Sequence, residues 1–491
     1  MFKTIAKTIP QDRDYPARQY RIAVLSSVLD GTFYDGLPHE FHEEKNDAGE
    51  YVPLRKRKPS VRYALCRSVV DDSVSMLFSE GHFPKIQCDS DQVIEGLQSI
   101  IKEAGINAAM IAAATTGSIG SACIFLRVLK GRVFVDVMNT QFLTPQWDPE
   151  APDMLLGVTQ KYKVKGQQLQ DAGYVIPADQ LGADFWFQKD WTDQNEIWYL
   201  PLLVTDAKDG KLPAKDTQRS VAHKLGFVPM VWVRNLPGGD TTDGTCTFPP
   251  EAIDCQIEID YQLSQAGRGL RYSSDPTLMI KEPAAPDGTV MAKGGGNAIV
   301  VGEKGDAKML EINGTAVSAV IDYVRAVRDM GLESAHGNRT NADKLSAAQS
   351  GRAMELMAQA LIWLADKLRI SYGEGALLDL LTMIVKASQK VPLVLKNGTK
   401  IGSLDDTKPL ALRWPQWFAP TYADKQSQAG TLSTARGAGI LSQETAIKSL
   451  AADYDIEDVQ AEIAQIKADE PEPITPTPPS STATPSSGAA D

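Results

Sequence analysis

Residues 251–272 commit the chain to a helix that must be covered on two sides. Ile259, Leu263, Ala266 and Leu270 recur at offsets of four, seven and eleven, while Ile253, Ile257 and Tyr261 form a second stripe. A helix apolar on two sides needs two neighbours. Its acids, Glu251, Asp254, Glu258 and Asp260, stand early, and Arg268 and Arg271 stand late, as the helix dipole prefers. A second helix is expected from about 315 to 333, with Val317, Val320, Val324 and Val327 on one face and Ser318, Asp322, Arg325 and Asp329 opposite. At about 1.5 Å per residue, each spans roughly 30 Å.

The surrounding pattern places these helices in an α+β chain. Residues 273–312 are rich in Gly and Pro, with a strand-like "NAIVVG" after Gly294, Gly295 and Gly296, and read as a small β-containing insertion. Residues 334–344 are polar and aperiodic, hence a loop. A long helix follows: Met354, Met357, Leu361, Leu364 and Leu368 keep heptad-like spacing, which resumes through Leu377, Leu378, Leu381 and Ile384. Gly373 and Gly375 predict a kink, and Trp363, Met354 and Met357 read as core. Upstream, Val61, Leu65, Val69, Val70, Val74 and Leu77 mark a helix over 60–79, and another is expected over 90–116. The period then changes to that of strands, with a hairpin at Lys130-Gly131 and a mostly antiparallel sheet to about 235. The first 59 residues read as irregular and polar, ending in Arg55, Lys56, Arg57 and Lys58 as a solvated run. Helices near Ser442 and Asp455 precede a tail, 471–491, too rich in Pro, Ser and Thr to bury a core.

Composition narrows the chemistry. A 491-residue chain has a prior of about three structural units. Its net charge of −12 argues against a protein that grips nucleic acid by neutralising phosphates, though an acidic wall lets a duplex slide. Cys66, Cys88, Cys123, Cys246 and Cys255 are scattered, with neither a disulfide framework nor zinc spacing. The N-terminus has no secretory pattern, so the chain is expected to start in the cytoplasm. The uncharged stretch 105–126 is broken by Asn107, Thr115, Thr116 and Gly117, and reads as an Ala-rich buried helix running into a strand, not a membrane span. There is no GxxxxGK[ST], HExxH or GxSxG. His39 and His42 beside Glu40, Glu43 and Glu44 read as surface, and the Gly294 to Gly296 run as a turn. Asp190 and Asp193 read as hairpin residues, and with their neighbours form the rival candidate, a carboxylate metal site. No catalytic, cofactor-binding or metal residue is assigned.

Four motifs, taken in order, carry a family resemblance. They are "LGFVPMVWVRN" ending at Asn235, "EAIDCQIEIDYQLSQAGRGLRYSSDPTLMI" from Glu251, "SAAQSGRAMELMAQALIWLADKLRISYG" with Ser350, Gly351 and Ala353, and "GILSQETAIKSL" from Gly439. Together they resemble the portal proteins of tailed bacteriophages over about 60–469. The resemblance implies an α+β portal-like protomer: α/β wing (60–249), stem helix (250–272), small β-containing clip (273–312), second stem helix (313–333), tunnel loop (334–344), long kinked spine helix with a returning wing strand (345–412) and helical crown (413–470). It implies a homo-oligomeric ring of about twelve subunits at the portal vertex of the capsid, assembled in the host cytoplasm. Double-stranded viral DNA would pass through it during packaging and ejection. The large terminase, then a head-completion or adaptor protein, would dock on it, with major capsid and scaffolding proteins as further partners. No enzyme activity, cofactor or membrane is implied.

On the same grounds His336, Asn338, Arg339, Asn341 and Lys344 would face DNA. Lys281, Lys293, Asn297 and Lys304 would meet terminase or connector, and Ile259, Leu263, Leu270, Val317, Val320 and Val324 would pack the stem. The readings kept open beside it are a metal-dependent nucleic-acid-processing enzyme and a capsid scaffold without DNA contact.

Overall fold

The structure is a computed structural model that describes residues 1–274, 277–283, 301–310, 315–337, 351–418, 422–451, 454, 456 and 458–469. It divides into two compact units, one made of 1–344 with 355–417 and the other of 345–354 with 418–491. Both helices and sheets are extensive, and the fold is α+β.

In the first unit, Ser121–Leu129 is the centre of a three-stranded antiparallel sheet between Arg132–Asn139 and Met230–Arg234. Lys130 and Gly131 join the first hairpin with φ of 52° and 78°, the double positive φ of the two-residue turn that suits strand twist. Gly131 is fixed twice over, because a Cβ there would stand 2.7 Å from the Pro392 carbonyl. The helix Ile106–Gly117 covers this sheet, so the uncharged stretch is a buried helix and a strand. Among the described residues no helix is long and apolar enough to cross a membrane.

A second antiparallel sheet runs Leu143–Trp147, Leu155–Lys165, Asp184–Trp191, Asn195–Tyr199 and Lys215–Ala222, with Leu202–Leu203 paired to the third of these. Strand alternation sends Phe185 and Phe187 into a separate small core with Leu169, Tyr174 and Ile176.

The N-terminal segment differs from the sequence reading. The first 59 residues hold the helix Ala17–Leu29, and Ile5, Ile22, Val28, Phe33, Tyr34 and Phe41 enter the main core. Arg57, expected in a solvated run, is 1% exposed, its Nε donating to Val52 O at 2.9 Å. The segment is a strap held by distant partners. Arg18 and Arg21 reach Asp243, Tyr34 reaches Asp260, and Lys163 bonds Asp12 at 2.5 Å.

The interruption expected at Gly373 and Gly375 takes the form of a π-helical stretch. Gln359–Leu368 passes through a π-helical stretch, Arg369–Leu377, into Leu378–Lys390. Gly373 lies so close to Trp414 that an added Cβ would overlap its ring. Arg369 is stacked between Trp414 and Trp417, 4.6 and 3.2 Å from their centroids, and burial pulls its guanidinium down to about 10. Next to it, Tyr372 donates to Asn235 Oδ1 at 3.0 Å. Asn235, wholly buried, donates through Nδ2 to Ser118 O, Thr245 O and Thr247 Oγ1. Asn235, the residue just past the Met230–Arg234 strand, thus ties sheet, loop and long helix together.

In the second unit the described helices are Tyr422–Gly437, Gln443–Leu450 and Val459–Asp469. Ser442 caps the middle one, accepting from Thr445 N at 3.2 Å.

Candidate assembly faces and channel elements

Pro250–Ser274 and Thr315–Ser334 form a helix pair of 25 and 20 residues, about 37 and 30 Å long. They run antiparallel, with Gly331 against Cys255 and Tyr323 Oη 3.5 Å from Glu258 Oε1. Beyond them Thr277–Pro283 pairs antiparallel with Val301–Leu310, so the insertion between the helices contains a two-stranded sheet.

The first helix is bolted to the body along its earlier turns. Ile253, Ile257, Ile259 and Tyr261 are buried in the main core. Gln256 Oε1 accepts from Cys66 N at 3.0 Å, Ser264 Oγ from Val61 N at 3.0 Å, and Tyr261 Oη donates to Arg57 O at 2.8 Å. Asp260, fully buried, accepts from Tyr34 Oη at 2.6 Å and from Tyr63 N. Burial pushes its carboxyl up to about 7, against the pull of those two bonds and of Arg62.

Farther along, the apolar residues lose their cover. Ile259 is 1% exposed, Leu263 is half-buried and Leu270 is 48% exposed. On the second helix Val320 and Val324 are half-buried, and Val317 lies in its first turn. A separate face of that helix, Ala319, Tyr323, Ala326 and Met330, recurs at offsets of four, seven and eleven and is exposed. Leu356 in the short helix Gly351–Met357, Trp363 in Gln359–Leu368 and Ile370 in the π-helical stretch are 57%, 55% and 63% exposed. Trp363 and Met357, read from sequence as core, are therefore surface residues; the core stripe is Leu361, Leu364 and Leu368.

The channel candidates are covered in part. His336 is exposed with φ of 53°, closing the second helix of the pair. Asn338, Arg339, Asn341 and Lys344 lie outside the described residues, as do Lys293 and Asn297. Lys281 is exposed and stands opposite Asp306 in register, and Lys304 belongs to Val301–Leu310.

No protein-family profile matches this chain, and no curated protein does. Among solved structures it is similar to a chain of the virion of a native gene transfer agent particle and to one of the neck of that native particle computed with C12 symmetry. Each has 11% identity and a TM-score of 0.38, covering 79% of this chain and 88% of the other. A chain of the neck of the empty particle, computed with C6 symmetry, has 10% identity and a TM-score of 0.37 over the same shares. Likenesses this distant leave function to be argued from the residues themselves.

Those residues give the rival metal site little to work with. Asp190 accepts from Tyr199 Oη at 2.8 Å and from Gln188, and Asp193 from Gln194 at 3.1 Å. His39 pairs with Glu43 at 3.0 Å, Glu40 with Lys58 at 3.0 Å, and Glu44 with Arg268. Among the described residues no three His, Cys, Asp or Glu converge as ligands. The five cysteines are free, and burial pushes the Cys123 and Cys246 thiols up to about 12.

Proposed function

We propose that this chain is a portal subunit, one of about a dozen copies closing a ring around double-stranded viral DNA. The observation that carries the reading is the presence of two unlike apolar faces on one compact unit, Tyr323 with Met330 and Leu356 with Trp363 and Ile370. A two-fold dimer uses one patch twice, whereas two different patches meet head to tail and close a ring when the rotation permits. Trp and Tyr are also the residues that most often dominate interface energy. The order of parts, helix pair with an intervening β insertion and then a long interrupted helix, supports the same reading. On it, the β insertion docks the terminase motor and later a completion protein, and the chain itself performs no catalysis.

Native mass spectrometry tests the ring: the expected species is about twelve times the 53.3 kDa chain. Trp363→Asp and Tyr323→Asp should each shift it toward folded monomer. Monomer alone at micromolar concentration across salt conditions refutes the proposal. Residues 334–344 are proposed to move against DNA, Arg339 and Lys344 making transient phosphate contacts. Replacing both with Ala should leave assembly and stability within about 0.5 kcal/mol while changing packaged length or rate. Normal packaging by that variant overturns the contact, and loss of the ring makes the segment an assembly element instead.

A further inference from the structure

The helices Gln443–Leu450 and Val459–Asp469 bound an open groove of about 690 Å3, within the range of functional clefts. Ile447, Leu450, Tyr454, Ile456 and Ile466 supply its apolar wall, and Asp458 and Glu462 stand beside them. Neither helix contains a buried residue among those described. At eight and eleven residues both are too short to persist on intrinsic propensity, so they depend on packing that their own partners leave incomplete.

The residues lining the groove include two carboxylates, Asp458 and Glu462, and no Lys or Arg. Tyr454 is 54% exposed, and its ring already receives the Lys425 ammonium at 5.0 Å. We propose that this groove is a docking site for a basic amphipathic helix of a partner protein. The helix sets apolar anchors, one turn apart, on the Ile and Leu wall and aligns its Lys or Arg flanks with the carboxylates. A second copy bringing its own Asp458 and Glu462 meets like charge there, which disfavours it as the occupant. The inference does not depend on the channel reading, since it uses only residues of the second unit.

The probe is a fluorescein-labelled synthetic peptide of about eighteen residues, five helical turns, with Leu along one face and Lys elsewhere. Its anisotropy is followed against the full-length chain. The expected result is saturable binding with a rise in helical circular dichroism. Affinity should fall roughly tenfold or more with Ile466→Ser, which leaves the charge unchanged, and with the paired Asp458→Asn and Glu462→Gln. Tyr454→Ala, at an exposed position, repeats the test where the Ile466 variant misfolds. The proposal is overturned by no binding, by equal binding of a scrambled peptide of the same composition, or by affinity unmoved by the Ile466 and Tyr454 variants. A change in oligomer mass when the peptide binds also overturns it, because the groove is then an interface between copies.

Discussion

Replacing Asp243 with Ala removes the rivet that holds the N-terminal strap to the three-stranded sheet. The Asp243 side chain is 2% exposed and receives Arg18 Nε on Oδ2 and Nη2 on Oδ1, both at 2.8 Å. Arg21 Nη2 adds a bond at 2.6 Å and Ser121 Oγ one at 2.5 Å, while Arg18 Nη1 reaches Thr140 O and Leu143 O at 2.9 Å. Without the carboxylate, an Arg18 side chain only 20% exposed is left uncompensated. Breaking a buried pair in this way costs about 3–5 kcal/mol. Arg21, 51% exposed, contributes less than about 1 kcal/mol of that. Urea titration followed by tryptophan fluorescence should show the loss. Arg18→Ala should cost a comparable amount, with the double variant at least about 1 kcal/mol short of the sum. Burial alone would raise this carboxyl, but the bonds from Arg18, Ser121 and Arg21 outweigh it and hold the group below the ordinary range. Stability from a lowered carboxyl is present above the unfolded value, about 3.9, and lost as pH falls through the folded one. The advantage over Asp243→Asn should therefore fade below about pH 4. A loss under about 1 kcal/mol, or strict additivity, refutes the reasoning.

Gly373→Ala is expected to lose about 1–3 kcal/mol and to shift Trp emission, because the methyl overlaps the Trp414 ring even though Ala is the better helix former; an unchanged melt rejects this. Asp260 titrates near 7 when folded and near 3.9 when unfolded, so the folded state binds the extra proton between them and wild-type stability falls as pH rises through that window. Asp260→Asn should lack the slope, and a pH-independent difference between the two proteins from about pH 4 to 8 contradicts the assignment.

The parts legible in the sequence are those whose cause is local. The hairpin follows from Lys130-Gly131, where two positive φ values are needed. The helix pair follows from apolar spacing, and the intervening β unit from Gly and Pro. The N-terminal strap was illegible for the opposite reason. Tyr34 finds Asp260 across 226 positions and Arg18 finds Asp243 across 225, and no pattern within a window of sequence records such pairs. Arg57 shows the same limit, since the run from Arg55 to Lys58 looks solvated until Val52 O and Phe41 O are brought to the guanidinium.

The candidate faces were half legible because periodicity says which side of a helix is apolar and nothing about where along it the cover ends. Ile259, Leu263 and Leu270 share one stripe in the sequence, yet their exposure climbs from 1% at the first to 48% at the last. The rise follows distance along the helix from the body: Val61 N still reaches Ser264 Oγ and Glu44 of the strap still pairs with Arg268, while Leu270 lies beyond both. Likewise the buried Leu361, Leu364 and Leu368 give no sign that Leu356, Trp363 and Ile370, in three successive segments, stand exposed. Keeping a Trp and two aliphatics half in water is unfavourable by about 25 cal/mol for each Å2 of apolar surface that a neighbour could cover. On the ring reading, that unspent burial is what the next copy supplies, and a polar substitution at Trp363 should weaken assembly while sparing the fold of the chain that carries it.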